Sequence, residues 1–219
     1  MLGAIIGDVV GSRFEFSNTN RMDFDLFTSE SDYTDDTICT IAVADAILKK
    51  APFDESLHIW CRKYPRPKGG YGGYFNCWVQ SDNPTPYGSY GNGSAMRASA
   101  CGWLAKTRDE ALIYAKESAE CTHGHIEGIK GALAVADSIW QLRNGMKKEQ
   151  LKAYIIDNYD YNLNETCDEI RAGNEFDESC QVAAICFCKS SGILNACSSK
   201  RSSAGGTVGS RIYGTKQQI

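Results

Sequence analysis

The sequence predicts an all-α domain, and three observations carry that reading. Apolar residues recur at helical spacing in segment after segment. No stretch of any length alternates as a half-buried strand does. Helix-start and helix-stop residues bracket the periodic segments where they should.

The first element, LGAIIGDVVG at 2–11, mixes small and apolar residues at helical spacing, which predicts a buried, closely packed helix. Ser17 to Ser31 is polar and reads as a loop. Next, Thr34-Asp35-Asp36-Thr37 precedes ICTIAVADAILKK, where Ile38, Ile41, Ala42, Ala44 and Leu48 keep helical spacing. Thr34 or Asp35 is the expected N-cap, and the acidic residues suit the positive end of the helix dipole. Lys49 and Lys50 suit the other end, and Pro52 stops the helix.

A further helix is expected over residues 54–64. Residues 65–93 hold four of the five prolines and many glycines, so they read as one long loop. Six aromatic side chains in that stretch favour an ordered loop that helps to form a site. Helical patterns resume at 94–106, 108–121, 125–145 and 148–156. From about Val182 the character changes: no acidic residue follows Glu178, and Ser198 to Ile219 reads as a basic, flexible tail.

Charge and composition narrow the partners. A chain of 219 residues suits one domain with a sizeable core. Its net charge of −4 argues against a nucleic acid held by phosphate contacts and against an anionic membrane surface. The apolar run from Met1 to Val10 is short, carries Asp8 and lacks a basic flank, so it is expected to be neither a signal peptide nor a span. No later stretch reaches the ~18 apolar residues of a membrane helix, and a cytoplasmic location is expected. The ten cysteines form no CxxC pair, which points to buried, reduced thiols.

Three groups of residues are candidates for chemistry. Asp8, Glu15, Asp35 and Asp36 lie in or beside apolar stretches, and carboxylates buried near one another call for a cation. Thr34, Asp35 and Asp36 offer hard oxygen ligands of the kind magnesium prefers, although the same triplet also makes an ordinary helix cap. His123 and His125 form an HxH pair before a helix, but no fourth ligand stands at a zinc spacing, and Thr122 capping that helix is the simpler reading. Gly91-Asn92-Gly93-Ser94-Ala95-Met96-Arg97 is a glycine-rich turn into a helix, where backbone N–H groups can meet an anion such as a diphosphate.

In order along the chain, GAIIGDVVGSRFEF at 3–16, YTDDTICTIAVADAIL at 33–48, GNGSAMRASACGW at 91–103, THGHIEGIKGALAVADSIW at 122–140 and FDESCQ at 176–181 resemble the ADP-ribosylglycohydrolases. The resemblance implies an orthogonal multi-helix domain with two magnesium ions in a cleft. It implies hydrolysis of the glycosidic bond between ADP-ribose and a protein side chain, so the expected partner is an ADP-ribosylated protein or an ADP-ribose-containing small molecule. Thr34, Asp35 and Asp36 match the first metal motif, and Glu15, with Asp35 and Asp36, matches the catalytic acids. Gly91, Asn92, Gly93, Ser94, His123 and His125 match the stretches that line the ADP-ribose site.

The match divides the chain into a family-like helical domain at 1–181 and an unlike, partly disordered tail at 182–219, so the fold is expected to be incomplete at its C-terminus. The family's second metal motif, Gly-Gly-Asp-Ser-Asp-Thr, has no counterpart here, and no Asp or Glu lies between 179 and 219 to replace it. The abrupt change suggests a shifted reading frame in the gene. Magnesium affinity is then expected to fall, and a non-catalytic relative that binds ADP-ribose or plays a structural role is the alternative. A different magnesium-dependent hydrolase acting on a phosphoribosyl or nucleotide-sugar substrate is the third reading.

Overall fold

The computed structural model describes residues 1–15 and 23–164. Nine α-helices are found among these: α1 Leu2–Gly11, α2 Asp35–Lys49, α3 Phe53–Lys63, α4 Gly73–Gln80, α5 Gly93–Arg97, α6 Ser99–Leu104, α7 Arg108–Glu120, α8 Ile126–Arg143 and α9 Lys148–Tyr159. A 3-10 turn, Ser12–Phe14, continues α1, and the described residues form no strand beyond one isolated bridge between Thr34 and Lys68. The expected all-α class is therefore the observed one.

Two helices organise the rest. Helix α2 packs against α1, α3, α5 and α6, while α8 packs against α5, α6, α7 and α9. Around α2, Ile38, Cys39 and Ala42 meet Leu57 and Cys61 of α3 and Phe75, Trp78 and Val79 of α4. Its opposite side, with Val43 and Ala44, joins an alanine-rich core made with Ala98, Ala100, Cys101, Ala115, Ala119, Ala132 and Ala136. Small residues let these helix axes approach closely. At Gly102 a Cβ would lie 2.4 Å from the Ala136 carbonyl oxygen on α8, so only glycine fits there.

The ends of α2 follow from its sequence. Thr34 is extended, and its side chain accepts from the Asp36 N–H, leaving Asp35 and Asp36 in the first turn. Lys50 closes the helix in the left-handed region at φ 55°, and Pro52 caps α3. A third core cluster, with Leu151, Ile155, Tyr159, Tyr161 and Leu163, seats α9 on Ala134. Buried Asp137 holds the same corner together: it accepts from Arg108 Nε and Nη2, at 2.9 and 2.8 Å, and from the hydroxyls of Tyr154 and Tyr159.

Three details differ from the sequence reading. The stretch 65–93 is not a continuous loop, because α4 occupies Gly73–Gln80. Phe75, Trp78 and Val79 sit at i, i+3 and i+4 and are buried, which outweighs the flanking glycines and prolines. The expected helix at 94–106 is divided at Ala98 into α5 and α6. Helix α9 runs past Ile156 to Tyr159, ending at Asp160 with φ 52°. The first part of the loop expected from Ser17 and the whole of the tail from Val182 lie outside the described residues.

Candidate active site

The site begins with a contact between α1 and the start of α2. The buried Asp8 carboxylate accepts the Thr34 N–H at 2.9 Å and the hydroxyls of both Thr34 and Thr37. Thr34 Oγ1 in turn accepts the Asp36 N–H at 3.2 Å. A hydroxyl has one proton and two lone pairs, so after these two bonds Thr34 keeps one lone pair for a further partner. Asp8 thus orients the turn that carries Thr34, Asp35 and Asp36.

Four carboxylates are buried here, with exposures of 1% for Asp8, 1% for Glu15, 7% for Asp35 and 3% for Asp36. Asp35 is pushed up to about 8, first by burial and then by the charges of Asp8 and Glu15. Burial also raises Asp8, and its threonine hydrogen bonds only partly offset this. Glu15 follows the 3-10 turn and lies against Gly69, where a Cβ would stand 2.6 Å from both carboxylate oxygens. Gly69 has φ +81°, and its segment is anchored to the strand-like entry of α2 by the Lys68 N–H, which donates to the Tyr33 carbonyl at 3.1 Å.

The expected group Glu15, Thr34, Asp35 and Asp36 is therefore brought together, with Asp8 beside it. Hard oxygen donors under mutual repulsion suit a magnesium ion. Among the described residues no three His, Cys, Asp or Glu side chains converge as a ready metal cage. The donor set fits a hard cation held by one or two carboxylates and completed by water, which is magnesium's usual habit.

The glycine-rich segment forms the neighbouring wall, tied to α2 by Thr40, whose hydroxyl donates to the Met96 carbonyl at 3.4 Å. Gly91, Asn92, Gly93 and Ser94 are all buried. The Ser94 hydroxyl donates to the Gly128 carbonyl of α8 at 2.6 Å, so its proton is committed within the fold. Asn92 Oδ1 is buried without a hydrogen-bond partner among the described residues, an acceptor facing no donor of the fold. Helix α5 is only five residues long, so its dipole alone makes a weak anion site.

The two histidines have different settings. His123 is 2% exposed, and its Nδ1 lies 2.7 Å from Thr122 Oγ1. His125 is exposed, and its Nδ1 accepts the Glu127 N–H at 3.2 Å, so His125 rather than Thr122 caps α8. Aromatic rings rim this side: Tyr90 meets His125 edge-on at 5.6 Å, Tyr87 lies 6.3 Å from His123, and Tyr74 stacks on Tyr87 at 6.0 Å.

Sequence reasoning assigned no task to Gly69, read Thr122 as a helix cap, and gave the Arg97 side chain no role of its own. Arg97 ends the GNGSAMR motif, and its guanidinium is buried, donating to the Ser118 carbonyl at 2.6 Å and to Thr122 Oγ1 at 2.9 Å. A charged residue inside an otherwise small and apolar helix pattern was the available signal.

The described residues thus form an all-helical bundle with buried carboxylates at one helix start and a glycine-rich wall beside it. The sequence profile of the ADP-ribosylglycohydrolase family matches residues 1–209, and the chain belongs to that family. The match runs past residue 181. The mouse ADP-ribosylhydrolase ARH3 is 28% identical over 183 residues, covering 68% of this chain and 50% of that protein. The human ADP-ribosylhydrolase ARH3 is 30% identical over 169 residues, covering 62% and 47%. The chain thus spans about half the length of these curated relatives. A solved structure titled ADP-ribosylglycohydrolase-related protein complex superposes with a TM-score of 0.65 at 17% identity, covering 97% of this chain and 82% of that one, which shows the shared fold.

Proposed function

We propose that this chain hydrolyses the glycosidic bond between ADP-ribose and a protein side chain, and that it does so with magnesium. The observation that carries the reading is the burial of Asp8, Glu15, Asp35 and Asp36 around one helix start, where burial first and then the charges of Asp8 and Glu15 hold Asp35 up to about 8. The family membership and the ADP-ribosylhydrolase relatives support the substrate class.

Magnesium, when bound, orients ribose hydroxyls and lowers the pKa of a bound water. Thr34, Asp35 and Asp36 would hold it. Glu15, fixed against Gly69, would stand beside that group, and Asp35 or Asp36 would take up the proton of the attacking water. The ribosyl carbon develops oxocarbenium character as the bond breaks, and the acidic surroundings favour that positive charge. Asn92 Oδ1 and the backbone of Gly91–Ser94 would receive the hydroxyls and diphosphate of ADP-ribose. A cytoplasmic setting suits the buried free thiols of Cys39, Cys61 and Cys101. No helix among the described residues is long and apolar enough to cross a membrane.

Replacing Asp36 with Asn is expected to abolish magnesium-dependent release of ADP-ribose; unchanged turnover would overturn the assignment. A second reading is a relative that binds ADP-ribose without cleaving it, because a shared fold does not by itself carry activity. Calorimetry separates the two, since binding without turnover supports the second.

A further inference from the structure

We propose that Arg97 and Thr122 are positioning residues that fix His123 as the neutral imidazole with its proton on Nε2. His123 then meets a ligand of the Gly91–Ser94 loop as a hydrogen-bond donor. The identity of that ligand as ADP-ribose rests on the function proposed above; the relay itself does not.

Proton direction at Thr122 decides the tautomer. Thr122 is fully buried, and its hydroxyl has two partners: an Arg97 guanidinium nitrogen at 2.9 Å and His123 Nδ1 at 2.7 Å. A guanidinium donates and never accepts. The Thr122 oxygen therefore accepts from Arg97, and its own proton has only His123 Nδ1 to go to among the described residues. Were Nδ1 protonated, the oxygen would face two donors while its buried proton had no acceptor. Nδ1 is accordingly the acceptor, and Nε2 carries the hydrogen.

Arg97 is well placed to set this direction. It is buried, donates to the Ser118 carbonyl of α7 at 2.6 Å, and lies 6.0 Å from the Phe75 ring centroid. Burial, and then the Arg97 charge, hold His123 well below the usual histidine range, in keeping with a neutral ring. The far edge of that ring lies on the glycine-rich loop: a Cβ at Gly93 would stand 3.1 Å from both His123 Cε1 and Nε2. Gly93 thus lets the Nε2 edge rest against the loop backbone. A ligand group meeting His123 there must be an acceptor, such as a phosphate or hydroxyl oxygen. Neither ring nitrogen is left to act as a base or to ligate a metal in this state.

The test is long-range proton–nitrogen NMR on the full chain with nitrogen-15-labelled histidine, near neutral pH and without ligand. The sequence has three histidines, so a His123→Gln sample assigns the signal. The expected result is the Nε2–H tautomer for His123, retained in Thr122→Ser and lost to a mixture in Thr122→Val. An Nδ1–H tautomer or an imidazolium in the unaltered protein would overturn the relay, as would an unchanged tautomer in Thr122→Val. Should Thr122→Val fail to fold, the unaltered protein's spectrum decides alone. Calorimetry with ADP-ribose is expected to show about fivefold weaker binding by Thr122→Val, the scale of one hydrogen bond. A relay tautomer in a protein that binds no ADP-ribose would leave the relay standing and remove the proposed function.

Discussion

The carboxylate of Glu15 rests on the backbone of Gly69, with both its oxygens 2.6 Å from where a Cβ on residue 69 would be. The two residues come from distant parts of the chain, and the pairing holds because residue 69 has no side chain. Gly70, next to it, has a similar backbone at φ +75° but nothing within 4 Å of its Cβ position.

That difference makes a controlled comparison. Gly69→Ala and Gly70→Ala both force alanine into the left-handed region, at about 1–3 kcal/mol each. Only Gly69→Ala also displaces Glu15. Denaturant melts are expected to show similar backbone costs with an extra loss for Gly69→Ala, and ADP-ribose release is expected to fall only in that variant. Equal activity in the two would show that the position of Glu15 does not matter.

Asp8 offers a second test, separate from any bound ion. Its carboxylate accepts three hydrogen bonds from Thr34 and Thr37. Asn at this position has one acceptor oxygen and turns an NH2 group toward those donors. Asp8→Asn is expected to cost about 1–3 kcal/mol in thermal or chemical unfolding, the cost of leaving a buried donor unmet. Magnesium affinity measured by calorimetry should weaken with it, because the turn carrying Asp35 and Asp36 loses its anchor.

Asp35 predicts a slope with pH. Its carboxyl is raised from the usual 3.8 to about 8 in the metal-free fold. Between those values the folded chain holds a proton that the unfolded chain has released, so stability falls as pH rises. The contribution is full below 3.8 and lost as pH passes about 8. Asn mimics the protonated carboxyl, so the stability of the unaltered chain relative to Asp35→Asn, followed by chemical unfolding without magnesium, is expected to fall across that window. A difference that stays flat with pH would contradict the raised value.

Asp137 behaves in the opposite sense. Burial pushes its carboxyl up, but the Arg108 guanidinium and the hydroxyls of Tyr159 and Tyr154 outweigh this and hold it below the usual value. Its contribution is therefore present above the usual carboxylate value and lost as pH falls through the lowered one. Asp137→Ala is expected to cost about 3 kcal/mol, the low end for breaking a buried pair. Arg108 is 39% exposed and can turn to water, which limits the loss. Urea unfolding measures it.

The sequence by itself determined the helical class, most helix positions and the acidic triplet at the start of α2. These are local properties: apolar spacing, capping residues and prolines act over a few neighbours. It also marked 65–93 as part of a site, but hid α4, because glycine and proline on both sides masked the buried Phe75–Trp78–Val79 face. Only the tertiary structure decided which residues serve the triplet and the histidines. Asp8 reaches Thr34, Glu15 reaches Gly69, and Arg97 reaches Thr122 across long stretches of chain. It also separated His123, buried on a hydrogen-bond relay, from His125, exposed at a helix start. Such pairings depend on how helices pack and on where a missing side chain leaves room, and neither is encoded in the neighbours of any one residue.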